Sequence, residues 1–124
     1  MPRCTINSDP AAANVIALQN DLFRSEICKA KKTVPGRVVL SHRLRMANNP
    51  FIRMAMEAVI DATCADPVSD PHSERDCGKI GIMDERIVWK IDLMASDHRA
   101  YRADDRTDLQ RTWRVLTVRM EGER

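Results

Sequence analysis

The strongest structural signal in the chain is a strict alternation of side chains that follows a polar turn at Asp84-Glu85. One side of the alternation is entirely apolar, with Ile87, Trp89, Ile91 and Leu93. The other side carries Arg86, Val88, Lys90 and Asp92. A period of two is typical of a strand with one buried face, so we predict a half-buried β-strand here. A shorter alternation at residues 79–82 predicts a second strand that turns back into the first.

Two segments have the spacing of amphipathic helices. A stripe of apolar residues runs from Ala12 to Ile27, and a second runs from Phe51 to Ala62. Each stripe follows a short polar residue and a proline, which favour the first turn of a helix because the side chain accepts from free amides and proline needs none. We therefore predict two helices in these segments.

The remaining segments complete the predicted fold. Residues 37–40 predict a short interior strand, and residues 64–76, with two prolines, predict a solvated acidic loop. Residues 95–107 predict an exposed connection. Residues 109–120 fit either a strand or a helix, although their β-branched residues favour a strand. The predicted class is α+β, with two helices packed on one face of a four-stranded, largely antiparallel sheet in the order α-β-α-β-β-β.

Composition restricts the class of protein further. The 124 residues predict one domain, 1–124, with an ordered core of about residues 9–120. A formal net charge of +2 excludes a strongly acidic mimic of nucleic acid. No apolar run is long enough to span a membrane, so no membrane partner is expected. The four cysteines are scattered and no secretory signal precedes them, which predicts free thiols and a cytoplasmic location.

Several segments also carry a family resemblance. They are residues 16–24 (IALQNDLFR), 36–40 (GRVVL), 70–78 (DPHSERDCG), 89–92 (WKID) and 114–117 (RVLT). Together they resemble a small proteobacterial family, domain-of-unknown-function family 3768, from about Val15 to Met120. The resemblance implies no established activity, and the family pattern differs at His72, Arg75 and Cys77, so a histidine of the family loop is missing here. The family's occurrence on mobile elements suggests an inhibitor of host defences.

Two groups of residues are candidates for binding. The acidic loop supplies Asp70, Glu74 and Asp76, whose spacing does not match a calcium-binding loop. The polar side of the alternating strand supplies Arg86, Lys90 and Asp92, which form either a binding surface or a charge ladder between strands. A zinc site from Cys64, His72 and Cys77 would need an invented fourth ligand. We predict no metal site and no cofactor.

Basic residues define an alternative site for nucleic acid. They lie in two segments and are Lys31, Lys32, Arg43, Arg45, Arg99 and Arg102. Nucleic-acid binding would require the two segments to converge on one face. The chain contains none of the glycine-rich or nucleophile motifs of nucleotide and acyl-transfer enzymes, which weighs against catalysis. The leading hypothesis is a non-enzymatic protein that binds another protein; the alternatives are a nucleic-acid-binding module and a metal-dependent enzyme.

Overall fold

The computed structural model describes residues 10–62, 74–99, 101–103 and 105–122. Within them the chain forms, in order, α1 (Pro10–Ser25), β1 (Gly36–Leu40), α2 (His42–Arg45), α3 (Asn49–Asp61), β2 (Cys77–Ile82), β3 (Glu85–Ala95) and β4 (Thr112–Met120). The predicted α+β class and the four-stranded sheet are confirmed. The short helix α2 is an addition to the predicted order, because Ser41 caps a single turn where only a polar exit from β1 was expected.

The sheet is mixed, in the order β1-β4-β3-β2. The pairs β2/β3 and β3/β4 are antiparallel, and β1 pairs with β4 in parallel. The last segment is a strand, as its β-branched residues indicated. The turn between β2 and β3 lies at Met83-Asp84, one residue earlier than predicted, and Met83 adopts a left-handed φ of 56°.

The core combines one face of the sheet with residues of the long helices. The alternation in β3 buries Ile87, Trp89, Ile91 and Leu93, and β4 buries Leu116, Val118 and Met120. Ile16 and Phe23 of α1 and Phe51, Ala55 and Val59 of α3 belong to the same buried cluster. Part of each apolar stripe predicted from sequence thus lies in the core, whereas Val15, Leu22 and Met54 of the stripes are exposed. No helix in the described ranges has the length and apolarity needed to cross a bilayer.

Caps fix the helix ends next to the sheet. The Asn48 side chain accepts a hydrogen bond of 2.9 Å from the Phe51 amide, and Pro50 occupies the first turn of α3. After α1, the buried Glu26 carboxylate accepts hydrogen bonds from the amides of Thr33 at 2.9 Å and Val34 at 3.0 Å. The backbone amide of Val34, with help from that of Thr33, lowers the pKa of Glu26 even though burial opposes the shift. Glu26 therefore ties α1 to the chain that enters β1.

Glu26→Gln is expected to reduce stability at neutral pH and to flatten its dependence on acid. Because the folded pKa lies below the unfolded one, the wild-type carboxylate stabilises the fold above the unfolded pKa. This contribution is lost as the pH falls through the folded value. Urea unfolding over a series of pH values, with Glu57→Gln on the exposed side of α3 as control, would measure it. A wild-type advantage that stays constant in acid would contradict the expectation.

Candidate functional site

A small polar pocket lies where the end of β3 meets the segments before β2 and before β4. Its lining residues are Asp76, Lys90, Ile91, Asp92, Leu93, Arg102 and Arg106. Four of these residues were candidates from the sequence. Asp76, Lys90 and Asp92 come from the two groups of binding candidates, and Arg102 comes from the alternative nucleic-acid site. The segment before β2 is held against β3 by the Ile91 amide, which donates to the Asp76 carbonyl at 2.6 Å.

A buried polar network lies behind this pocket. The Glu74 carboxylate, with its side chain fully buried, pairs with the Arg106 guanidinium. The Asn20 side chain donates to the Glu74 carbonyl at 2.9 Å, and its own oxygen accepts from Arg114 Nε at 2.7 Å. Arg114 Nη2 also donates to Gln19 Oε1 at 3.0 Å. One carboxylate and two guanidiniums thus join α1, β4 and the segments before β2 and β4.

Arg114 is strongly desolvated in this network. It is fully buried, and burial lowers the pKa of its guanidinium to about 10, with the Arg106 cation acting in the same direction and Glu74 opposing. The side chain remains charged at neutral pH. A buried cation without a counter-charge is costly, so Glu74 offsets part of the desolvation of Arg114.

Arg24 extends the network along α1. Its Nη1 donates to the carbonyls of Val59 at 2.9 Å and Ala62 at 2.7 Å, and its Nη2 pairs with Asp21 at 2.7 Å. The guanidinium also lies 4.9 Å from the centre of the Trp89 ring. These contacts attach the last turn of α3 to α1 and to the core of β3.

The acidic loop therefore differs from its prediction. Glu74 and Asp76 are 1 % and 5 % exposed, so the expectation that they are solvated is wrong. The reason is that cationic partners from distant segments accompany Glu74 into the interior. Asp70, and the zinc candidates Cys64 and His72, lie outside the described residues. Cys77 is disulfide-bonded, which contradicts the prediction that its thiol is free.

The face of the sheet opposite the core, which we call the open face, contains the other candidates. Alternation places on it Arg37, Val39, Cys77, Lys79, Arg86, Val88, Lys90, Asp92, Met94, Trp113, Val115, Thr117 and Arg119. Lys90 pairs with Asp92 at 3.2 Å, and Arg86 approaches Glu121 at 4.0 Å. These residues are exposed or half-buried, as the polar side of the alternation predicted.

The basic residues of the alternative site fall into separate groups. Arg99 lies 3.7 Å above the centre of the Trp113 ring, and Arg102 lies opposite Met94 beside the polar pocket. Lys32 Nζ donates to the carbonyls of Glu26 and Ile27 after α1, and Lys31 is exposed beside it.

Arg43 and Arg45 lie on α2. The amide of Ser41, the residue before α2, donates to the carbonyl of Val118, near the C-terminal end of β4. Arg99 and Arg102 are thus brought close to the open face, whereas Arg43 and Arg45 are not brought to the same end of the sheet.

Sequence reasoning missed Arg106, Arg114, Asn20 and Arg24. One signal was available for Arg114, because the alternation that puts Leu116, Val118 and Met120 on one face of β4 puts Arg114 on that same, buried face. An arginine in register with core residues is a reason to look for a buried acid. Among the described residues, no group of three or more His, Cys, Asp and Glu side chains is arranged to hold a metal ion.

The chain also matches a sequence family. The model of the family described as Protein of unknown function (DUF3768) matches residues 40–123. The match covers more than half of the chain, so the chain belongs to this family, and the resemblance to it noted in the sequence is confirmed over the matched residues. No curated protein and no solved structure matches the chain.

Proposed function

We propose that this chain is a non-enzymatic binding protein whose contact surface is the open face and whose partner is another protein. The observation that carries the proposal is a group of half-buried apolar side chains on that face. Met94 lies opposite Trp113, Val115 follows on the same face of β4, and Val39 lies diagonally across from Val115 on β1. A sheet face that meets only water is normally polar, and a contiguous apolar patch with a polar rim is typical of a protein interface.

We also propose that α1 and α3 both cover the core face, which leaves the open face for the partner. The shared buried cluster of Phe23, Phe51 and Trp89 supports this arrangement. The polar pocket lies at the edge of the open face, where Lys90 and Asp92 belong to both. The specific role that the family resemblance suggests is inhibition of a host defence protein.

A nucleic-acid-binding module is the second candidate. It is favoured by the guanidinium of Arg99 over Trp113 and by Tyr101, which is 65 % exposed and packs against His98. Aromatic rings beside arginines are typical of single-strand binding. Against it, the other basic residues lie at separate places, as described above.

Val115→Glu is expected to abolish partner capture, because it puts a charge beside Trp113 in the apolar group of the open face. The matched control is Leu18→Glu, which makes the same change at a leucine of α1 that is 57 % exposed. Affinity capture from a host extract, before and after nuclease treatment, would compare the two variants with the wild type, and circular dichroism would verify folding.

The proposal requires a protein that wild type and Leu18→Glu retain and folded Val115→Glu loses. Equal capture by both variants would contradict the choice of surface. Capture that disappears after nuclease treatment would support the nucleic-acid candidate instead.

A further inference from the structure

Four cations surround one apolar side chain on the open face. Val88 lies directly opposite Arg119 on β4 and Lys79 on β2. Arg86 and Lys90 lie two residues before and after it on β3, on the same face. We call Lys79, Arg86, Lys90 and Arg119 the basic square. Each member lies about 5–7 Å from Val88, and neighbouring members lie diagonally across strands, about 7–8 Å apart.

Within the described residues, the charges of Lys79 and Arg86 are the weakly balanced ones of the basic square. Asp92 pairs with Lys90, and Glu121 approaches Arg86 at the long distance of 4.0 Å, with the Arg86 side chain 71 % exposed. Lys79 is exposed and forms no ion pair within the described ranges. Like charges at this spacing repel each other, so an anionic partner would gain free energy by relieving the repulsion.

The chemistry of this patch favours an acidic protein over a nucleic acid. Its centre is an aliphatic side chain, whereas single-strand binding relies on aromatic rings next to the cations. Trp113 lies opposite Met94, which is six residues from Val88 along β3, or about 20 Å. The sequence pI of about 8.4 is also below the range typical of nucleic-acid-binding domains.

We propose that the basic square binds an acidic segment of the partner protein, in which an apolar side chain packs on Val88 and flanking carboxylates pair with the four cations. This inference rests on the proposed function, because it assigns a partner chemistry to the open face. Lys79 and Lys90 present ammonium point charges, which bind a carboxylate without the planar, two-bond geometry of an arginine. A cluster of Asp and Glu side chains in the partner is therefore sufficient to bind them.

The test is titration of the isotope-labelled full chain by NMR, which detects weak binding and locates it. Three probes are compared: a short peptide with one leucine flanked by glutamates, the same peptide with lysines in place of glutamates, and a short oligouridine. We expect the acidic peptide to shift the resonances of Val88 and its neighbours and to bind at least about tenfold more tightly than the lysine peptide.

The variant Lys79→Glu with Lys90→Glu is expected to weaken the acidic peptide by at least about tenfold. The matched control is Lys31→Glu with Arg53→Glu, which changes the net charge equally at exposed positions on other surfaces. An equal loss of affinity in the control variant would show that the change in net charge causes the effect, and this would overturn the inference. Absence of any shift at Val88, or tighter binding of oligouridine than of the acidic peptide, would overturn it too.

The two proposals can fail separately. Loss of partner capture in Val115→Glu without binding of the acidic peptide would retain the open face as contact surface and reject an acidic partner. Binding of the acidic peptide at Val88 with undiminished capture by Val115→Glu would retain the basic square as an anion site and reject the open face as the surface for the captured protein.

Discussion

Glu74→Ala is expected to lower the free energy of unfolding by about 3 kcal/mol or more, because it removes a buried carboxylate from the half-buried Arg106 and the buried Arg114. Arg106 loses its ion pair with Glu74, and the fully buried Arg114 loses a carboxylate that raises its pKa. The measurement is chemical denaturation followed by circular dichroism. Glu57→Ala, on the exposed side of α3, removes the same side chain without burial and should change the free energy by less than about 0.5 kcal/mol.

A double-mutant cycle separates the ion pair from lost packing. Arg106→Ala alone leaves the Glu74 carboxylate buried without its cation, and the double variant leaves neither charge of the pair. We therefore expect the combined loss to be smaller than the sum of the single losses by about 1 kcal/mol or more. Additive losses would mean that the network contributes to stability through packing alone. A small loss of stability in the single variant Glu74→Ala would show that the network does not stabilise the fold.

The sequence predicted those parts of the fold that depend on local patterns. The alternation of Ile87, Trp89, Ile91 and Leu93 was enough to identify β3 and its buried face. The cap at Asn48 and the stripe after it were enough to identify α3. Each of these signals lies within about a dozen residues, and tertiary contacts reinforce rather than override it.

The buried network was not predictable in this way. The hydrogen bond between Asn20 and Arg114 joins residues 94 positions apart, and Glu74 meets Arg106 across 32 positions. An isolated acidic segment is expected to be solvated, since burying a carboxylate is costly until a partner is known. The parallel pairing of β1 with β4 was missed for the same reason, because strand order depends on how the helices connect rather than on any local period.

Residues quoted for the family resemblance meet in this network. Asn20 and Arg24 come from the first segment, Glu74 from the acidic segment, Trp89 from β3 and Arg114 from β4. The most direct interpretation is structural, because these side chains hold α1 and the segment before β2 against the sheet. Arg106 of the network also lines the polar pocket, together with Lys90 and Asp92. The network therefore supports the open face without being part of it.

Gly36→Ala is expected to destabilise the protein by about 2–3 kcal/mol, because a methyl group at this position has no space. An added Cβ would overlap the backbone oxygen of Arg114 and would lie 2.6 Å from the ring of Phe23. A carbonyl within the paired strands cannot move without breaking the β1/β4 ladder, which begins at Gly36 and Arg114. The change would therefore disturb both the parallel edge of the sheet and the residue at the centre of the buried network.

Two other glycines make the comparison specific. At Gly78 a Cβ would lie 2.7 Å from Nε1 of the buried Trp89, so Gly78→Ala should also be destabilising, whereas a Cβ at Gly81 would meet nothing within 4 Å. Gly81→Ala, on the same strand as Gly78, should leave stability unchanged or raise it by about 0.4–1 kcal/mol through the unfolded chain. Urea unfolding of the three variants measures the difference. If Gly36→Ala proved as stable as Gly81→Ala, β1 could not lie as close to Arg114 and Phe23 as described, and the parallel pairing that completes the sheet would have to be revised.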